Sequence, residues 1–369
     1  MTILQLCLSS SLGGLELYFL DTTLFLHQNT SHKVLALVCE NSRLHEKIKE
    51  LDIRHITLKK QSGKLPIADA VKIKSILKNE QIDLVHIHCK KDLPLAAWLK
   101  TFMGNNFKLV HTRQMNMPGS KKSPYHTFQY QKIDKLITIT QKLHSDIQNR
   151  VNIDPNRIET LYYGVKIPEH FSQADFEHWT RTFEQEPASF RLAVFGNLNS
   201  TKAQHNIIEA LGNIKNELPS NWKLYLIGKF IDPDYAAVIE RKISENKLQE
   251  NVVVTGFIDN AKQWMAGFDL IVLTTIGETF GLVLVEAMKS GVAVIGTDSE
   301  GVPEIIDNKE TGILVQPNTI SDLSDAILTL SRDENFRNQL ATAGKKKANR
   351  LFDYERHYER LLQIYEELT

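Results

Sequence analysis

The sequence predicts an α/β fold built from two doubly wound parallel-sheet domains. At 369 residues the chain is too long for one ordinary hydrophobic core, so two domains are expected. Short apolar runs alternate with segments of helical periodicity, a pattern typical of parallel sheets covered by helices on both faces. The alternating series runs twice, before and after a polar stretch at 166–189. Two such domains facing each other would leave a central cleft for ligands.

The elements follow in order along each series. In the first series, strands are predicted at Ile3–Leu8, Val34–Val38, Leu84–His88, Lys108–Thr112 and Leu136–Thr140. In the second series, they are predicted at Arg191–Phe195, Lys223–Ile227, Val252–Thr255, Leu270–Thr275, Val292–Gly296 and Gly312–Val315. Helical periodicity marks Ile67–Asn79, His205–Glu217, Tyr235–Asn246, Ser321–Ser331, Glu334–Arg350 and Tyr354–Leu368. The expected domains are 1–168 and 189–352, with a C-terminal helix at 353–369 that returns to the first domain.

Charge and cysteine content limit the functional classes. The net charge is zero, so the whole chain does not suggest nucleic-acid binding. Residues 1–168 carry 24 Lys and Arg against 14 Asp and Glu, whereas the rest carry 20 against 30, so an anionic partner is expected for the first domain. Cys7, Cys39 and Cys89 lie in apolar runs and are predicted to be buried free thiols. A cytoplasmic protein is expected, with peripheral contact to the inner face of the membrane through the basic first domain.

The most informative motif is Gly277 to Gly291, which follows a predicted strand and continues as a helix. Glu278 and Glu286 lie eight positions apart, and carboxylates accept hydrogen bonds from sugar hydroxyls. Gly281 allows close backbone approach, and the amides of a helix start bind anions. The motif therefore suits a ligand that is part phosphate and part polyol, such as a nucleotide sugar.

This motif, with the segments at 292–297, 301–306 and 311–315, resembles the E-x7-E region of retaining glycosyltransferases of family 4, which have the GT-B fold. The resemblance implies that Glu278 holds hydroxyls of the donor sugar and that Glu286 holds the ribose hydroxyls. It also implies that the backbone from Thr279 through Phe280 and Gly281 to Leu282 faces the diphosphate.

Two further loops resemble the donor-binding loops of this family. Lys202 matches the lysine that binds the donor diphosphate, but Asn197 stands where arginine is usual and Ala203 where glycine is usual. Gly13 and Gly14 follow the first strand and resemble the glycine loop that approaches the donor phosphates. Glycines there were expected to allow backbone conformations closed to other residues.

The strand at Lys108–Thr112 matches a family strand whose end carries a histidine near the transferred sugar. Here Gln114 occupies that position and cannot act as a general base, although its amide can hydrogen-bond the sugar. His111 is a less favoured substitute, since strand alternation directs it away from the face of Thr112. Glu278, Lys202 and Gln114 are therefore the candidate catalytic residues.

No metal site is predicted. His86 and His88 share a strand face without a third ligand at suitable spacing, so satisfied, partly buried histidines near the cleft are favoured. Asp232 precedes Pro233 and a helix, which indicates capping.

The resemblance implies a metal-independent retaining transferase without a cofactor. Its donor would be a UDP- or GDP-sugar, and its acceptor a lipopolysaccharide or other cell-envelope glycan or glycolipid. A GT-B nucleotide-sugar epimerase, a disaccharide synthase and a weakly active, binding-only homologue remain alternatives. A two-lobed solute-binding protein is a further alternative, and it would not need Lys202 with the paired glutamates.

Overall fold

The computed structural model describes residues 1–59, 66–104, 106–166 and 169–369. The chain divides into two compact units, one formed by Met1–Gly164 with Tyr354–Thr369 and the other by Val165–Asp353. Each unit contains one sheet in which all the paired strands are parallel, with helices as connections. The predicted α/β class with two doubly wound parallel sheets is confirmed.

The sheet of the first unit has seven strands in the order β3-β2-β1-β4-β5-β6-β7. The strands are β1 Thr2–Cys7, β2 Lys33–Cys39, β3 His55–Leu58, β4 Leu84–Ile87, β5 Lys108–Arg113, β6 Lys135–Thr138 and β7 Ile158–Thr160. The helices are α1 Gly14–Asn29, α2 Arg43–Glu50, α3 Ile67–Asn79, α4 Leu93–Met103, α5 Pro124–Gln131 and α6 Gln141–Arg150. Inner strands such as β2 are buried on both faces, which explains their continuous apolar runs.

The sheet of the second unit has six strands in the order β10-β9-β8-β11-β12-β13. The strands are β8 Phe190–Phe195, β9 Trp222–Ile227, β10 Val252–Gly256, β11 Leu270–Leu273, β12 Ala293–Thr297 and β13 Ile313–Val315. The helices are α7 Gln173–Thr180, α8 Gln204–Ile214, α9 Pro233–Glu245, α10 Leu282–Lys289, α11 Val302–Ile305, α12 Ile320–Arg332 and α13 Glu334–Leu351. A single large apolar cluster joins the sheet to α8, α9, α12 and α13.

The last helix, α14 (Tyr354–Leu368), belongs to the first unit although it follows the second in sequence. Tyr358, Leu361, Ile364 and Tyr365 are fully buried and recur at helical spacing. They pack in one apolar cluster with residues of β1, β2 and β4, including Ile3. The apolar face of α14 is therefore buried against the sheet of the first unit.

Each sheet has a point where the strand order reverses. In the first unit this point lies between β1 and β4, and in the second it lies between β8 and β11. Loops that leave the carboxyl ends of the two strands diverge there, and ligands of such sheets bind in the resulting crevice. The loops after β1, β4, β8 and β11 are therefore where sites are to be sought.

Candidate donor-binding site

The structure brings Lys202 and Glu278 together at the reversal point of the second sheet. Lys202 ends a short 3₁₀ turn that follows β8, and Glu278 lies in the loop that follows β11. These strands pair in parallel, so their carboxyl-end loops lie side by side. The ammonium Nζ of Lys202 donates to the Oε2 of Glu278 at 2.7 Å. The side chains are 33% and 20% exposed, so both remain accessible to a ligand.

The turn that carries Lys202 is fixed from two sides. The side chain of Asn199 accepts a hydrogen bond from the backbone N–H of Lys202 at 3.1 Å. From the neighbouring loop, the hydroxyl of Thr274 donates to the carbonyls of Lys202 and Ala203 at 2.9 and 3.1 Å. Sequence reasoning missed Thr274, because its role depends on a contact between loops that are distant in sequence. It also missed Asn199, although this side chain caps a turn only three residues away and capping by Asn is a local signal.

Ala203 adopts a left-handed backbone conformation, with φ of 51° and ψ of 37°. A side chain costs about 1–2 kcal/mol in this region, whereas glycine adopts it freely. This backbone conformation explains why glycine is usual at this position in the family. This chain tolerates alanine there, with the methyl group buried.

The loop after β11 turns into α10 through Gly281, whose φ is +96°. A Cβ at this glycine would lie 3.3 Å from Cδ1 of Leu284. The other near neighbours are Ile305 and Leu273, which like Leu284 are buried, so both the backbone conformation and the tight packing favour glycine.

The residues next to Gly281 are buried or half-buried. Phe280 is buried, and its ring packs edge-on against Phe352 with the centroids 5.5 Å apart. Thr279 and Leu282 are half-buried. The carbonyl of Glu278 accepts from the N–H of Gly301 at 3.1 Å, which ties this loop to the segment before α11.

Glu286 lies on α10, eight residues after Glu278, which is in the preceding loop. Its side chain is 23% exposed, and the nearest opposite charge is the ammonium of Lys262 at 3.9 Å. Loss of solvation raises the pKa of the Glu286 carboxyl, and Lys262 only partly opposes this. A partly dehydrated carboxylate with a weak partner is well suited to accept hydrogen bonds from a ligand's hydroxyls.

Asn197, the position where the family has arginine, is exposed. Its backbone carbonyl accepts from Nε2 of Gln204 at 3.1 Å, which holds the loop against the start of α8. The amide side chain of Asn197 is uncharged, so of these two positions only Lys202 carries a positive charge.

In the first unit, the reason expected for Gly13 and Gly14 is wrong, because neither has a positive φ. Gly13 is the N-cap of α1 in an extended conformation, with φ of −139°. Its N–H donates to the Oε2 of Glu16 at 2.8 Å, and Glu16 is itself buried. The loop is thus organised by the capping glutamate, and donor contact by the two glycines stays a prediction.

Gln114 is 7% exposed, and its Oε1 accepts a hydrogen bond from the hydroxyl of Tyr163. Its Nε2 is buried without a partner among the described residues. The amide of Gln114 therefore has a buried N–H donor that is free to form a hydrogen bond. His111 is fully buried, and burial lowers its pKa well below the usual range, so this ring is neutral.

His86 on β4 and His88 directly after it contact neighbouring side chains of the first unit. The two ring nitrogens of His86 contact the hydroxyls of Tyr365 at 2.6 Å and Thr112 at 2.7 Å. Nε2 of His88 contacts Oε1 of Gln5 at 2.7 Å, and burial lowers the pKa of His88 to about 3. Both rings are fully buried, whereas partial burial was predicted, and Nδ1 of His88 lacks a partner in the described chain, so the predicted hydrogen-bond satisfaction is incomplete.

Other predicted features can be placed as well. Asp232 caps α9, since its side chain accepts from the N–H of Asp234 at 3.0 Å. All three cysteines are free, with Cys7 and Cys39 buried and Cys89 half-buried. Within the described ranges, no group of three or more His, Cys, Asp or Glu is placed to hold a metal ion. None of the described helices combines the length and apolarity needed to cross a bilayer.

Comparison with known proteins identifies the family. Residues 12–167 match the family described as Glycosyltransferase Family 4, and residues 177–347 match Glycosyl transferases group 1. The chain is 25% identical over 305 residues to N-acetyl-alpha-D-glucosaminyl L-malate synthase of Bacillus anthracis, covering 81% of this chain and 78% of that protein. It is also 25% identical over 329 residues to a Campylobacter jejuni transferase, N-acetylgalactosamine-N,N'-diacetylbacillosaminyl-diphospho-undecaprenol 4-alpha-N-acetylgalactosaminyltransferase. That match covers 85% of this chain and 86% of the relative.

Solved structures agree on the fold. The crystal structure of Anabaena HepE with UDP and glucose superposes with a TM-score of 0.84 at 21% identity, over 99% of both chains. A glycosyltransferase from Rickettsia africae superposes with a TM-score of 0.89 at 20% identity, covering 100% of this chain and 98% of that one. The chain therefore belongs to glycosyltransferase family 4 and is a glycosyltransferase of the GT-B type.

Proposed function

We propose that this protein transfers a sugar from a UDP- or GDP-sugar to a glycan or glycolipid acceptor, with retention at the anomeric carbon. The observation that carries the proposal is the contact of Lys202 with Glu278 at the reversal point of the second sheet. A cation and a carboxylate meet there beside a glycine-started helix, which is the set of groups that a sugar diphosphate needs.

Each group has a role in the proposed donor complex. Lys202 binds the diphosphate, and the backbone from Thr279 to Leu282 adds amide donors at the start of α10. Glu278 accepts hydrogen bonds from hydroxyls of the sugar, and Glu286 accepts hydrogen bonds from the two ribose hydroxyls. The diphosphate gains negative charge as it leaves, so Lys202 stabilises the transition state more than the ground state.

The proposed chemistry needs no protein base. The acceptor hydroxyl attacks the anomeric carbon on the face from which the diphosphate departs. The bond to the leaving phosphate oxygen breaks, the new glycosidic bond forms, and the departing oxygen takes the hydroxyl proton. Gln114 then serves by holding a sugar hydroxyl or carbonyl through its free Nε2, which is consistent with the absence of a histidine there.

The comparisons support the choice of donor. Anabaena HepE was crystallised with UDP and glucose and with UDP-glucose, so a UDP-sugar is the first donor to test. We propose that Lys202 supplies the positive charge required at the diphosphate, without a divalent metal or other cofactor.

The proposed acceptor is a lipopolysaccharide or other cell-envelope glycan, bound by the basic first unit. The C. jejuni relative is named for a diphospho-undecaprenol substrate, and a Rhizobium meliloti relative is a lipopolysaccharide core mannosyltransferase. The proposed location is the cytoplasm, with peripheral contact at the inner face of the membrane through the lysines of residues 1–168.

A thermal-shift screen of the full chain against UDP-, GDP- and ADP-sugars, each with and without Mg²⁺, tests the proposal. A ligand at one hundred times its Kd adds about 2.7 kcal/mol to the free energy of unfolding. Stabilisation by one nucleotide class without metal is expected. No stabilisation by any nucleotide sugar would contradict the proposal, and an absolute metal requirement would contradict the role of Lys202.

Product analysis separates the alternatives. Incubation with the stabilising donor and no acceptor should leave the sugar unchanged, whereas an epimerase would convert it. Transfer to free monosaccharides would indicate a disaccharide synthase. Donor-induced stabilisation without turnover on any envelope-derived acceptor would indicate a binding-only homologue.

A further inference from the structure

Arg113 is a buried cation without a carboxylate partner. It ends β5 and is 4% exposed. Its guanidinium donates through Nε to the carbonyl of Met115 at 2.8 Å and through one terminal nitrogen to the carbonyl of Asn116 at 3.1 Å. No ion pair to Arg113 is present among the described residues. A guanidinium has five N–H donors and stays charged, so much of its binding capacity is unused.

The other buried arginines of the described chain show what is unusual about Arg113. Arg191 is 7% exposed and pairs with Glu184 at 2.9 Å and with Glu177 at 3.1 Å. Arg337 is 9% exposed and lies 3.5 Å from a carboxylate oxygen of Asp269. Burial of a charge without an ion-pair partner costs free energy. An anion bound from outside the described chain would offset that cost at Arg113.

More positive charge surrounds Arg113 on the solvent side. Lys90 follows β4, which pairs in parallel with β5, so it leaves the sheet at the same edge as Arg113. Lys121 lies in the connection from β5 to α5, which leaves the sheet at this same edge. Loss of solvation, and then the charges of Arg113, Lys91 and Lys121, lower the pKa of Lys90, while Cys89 opposes this. Neither Lys90 nor Lys121 forms an ion pair within the described ranges. The cations thus repel one another and gain from a shared anion.

The loop after β5 also holds an independent unused donor. Gln114 follows Arg113 directly, is 7% exposed, and has a buried Nε2 without a partner in the part of the chain described. This carboxyl edge, next to the reversal point of the first sheet, is where ligands of such sheets bind.

We propose that Arg113, with Lys90 and Lys121, binds a phosphate or carboxylate group of an anionic acceptor. This inference rests on the proposed function, which gives the acceptor to the first unit. It defines the acceptor class as one that carries a phosphate or carboxylate group.

Titration calorimetry of the full chain with inorganic phosphate and with succinate, at constant ionic strength, tests the site. Lys202→Met is the background in which phosphate cannot use the donor site. Saturable binding in this background is expected, and Arg113→Gln should weaken it about tenfold or more. Binding that is absent, or unchanged by Arg113→Gln, would overturn the proposal.

A second variant keeps the test valid if Arg113→Gln fails to fold. Lys90→Met/Lys121→Met leaves the buried arginine in place and should weaken anion binding severalfold. The matched control is Lys33→Met/Lys108→Met, which removes the same charge from the opposite edge of the sheet and should leave binding unchanged. Equal weakening by the two double variants would show a general charge effect and overturn the site.

Two further arms identify the source of the anion and separate this inference from the proposed function. Sedimentation with phosphatidylglycerol–phosphatidylcholine vesicles that depends on Arg113 would indicate a lipid headgroup, whereas phosphate binding without vesicle binding would indicate a soluble acceptor. UDP binding should be unaffected by Arg113→Gln. If the unmodified chain does not bind UDP, the proposed function is refuted. Arg113-dependent anion binding would be unaffected by that result.

Discussion

Replacing Glu278 with glutamine should separate donor binding from transfer. Glu278 holds the ammonium of Lys202 at 2.7 Å, so a diphosphate that binds Lys202 has to displace it. The pair is 33% and 20% exposed, and solvent screening limits it to about 0.5–1 kcal/mol. Glu278→Gln removes this competition, so the affinity for UDP should rise by about two- to fivefold. Sugar transfer should fall by about 10²–10³, since the sugar loses its carboxylate partner.

Lys202→Met should act in the opposite direction on UDP. It removes a charge-assisted hydrogen bond of about 1.5–3 kcal/mol, so UDP should bind about 10- to 150-fold more weakly. Calorimetric titration with UDP at fixed ionic strength measures both variants. Lys223→Met, at the amino edge of the same sheet, is the control and should bind like the unmodified chain. The reasoning is refuted if Glu278→Gln weakens UDP binding as much as Lys202→Met does.

Three further predictions concern single residues. Gly281→Ala should destabilise the second unit by about 1–3 kcal/mol in urea unfolding, because its φ is +96° and the new Cβ lies 3.3 Å from Leu284; Gly256→Ala, with φ of +74° and open space, should cost less, and an equal loss would contradict the packing argument. Burial raises the pKa of Glu286. At a pH between the unfolded and folded pKa values, this carboxyl therefore binds more protons in the folded chain than in the unfolded chain. Its contribution to the free energy of unfolding is lost as pH rises through the folded pKa. Glu286→Gln should therefore stabilise the apo chain at pH 7, and the gain should vanish below about pH 4, whereas a gain that persists in acid would contradict this. Tyr163→Phe should lower transfer without changing UDP affinity, because it removes the donor that orients Gln114; unchanged transfer would show that this contact does not matter.

The fold was predictable where local pattern and burial agree. Inner strands such as β2 and β11 are continuous apolar runs, and helix α3 was predicted at its observed bounds, Ile67–Asn79. The two edge strands β3 and β7 were missed. They have only four and three residues and are partly exposed, so their sequences carry too little periodicity to be distinguished from loops.

The candidate site was predictable in its residues and less so in its geometry. Lys202 and Glu278 could be found because each follows an apolar strand in a recognisable motif. That Thr274 fixes the Lys202 turn, or that Tyr163 holds Gln114, depends on contacts across 72 and 49 positions of sequence. The conformation of Gly13 was predicted wrongly, because glycine permits positive φ without requiring it.

The most direct test of donor binding is a crystal structure of the full chain with UDP. We expect diphosphate oxygens within hydrogen-bond distance of Nζ of Lys202, with Glu278 released from that contact, and both ribose hydroxyls hydrogen-bonded to the carboxylate of Glu286. A nucleotide bound elsewhere, or a Lys202–Glu278 pair that stays intact beside bound UDP, would contradict it.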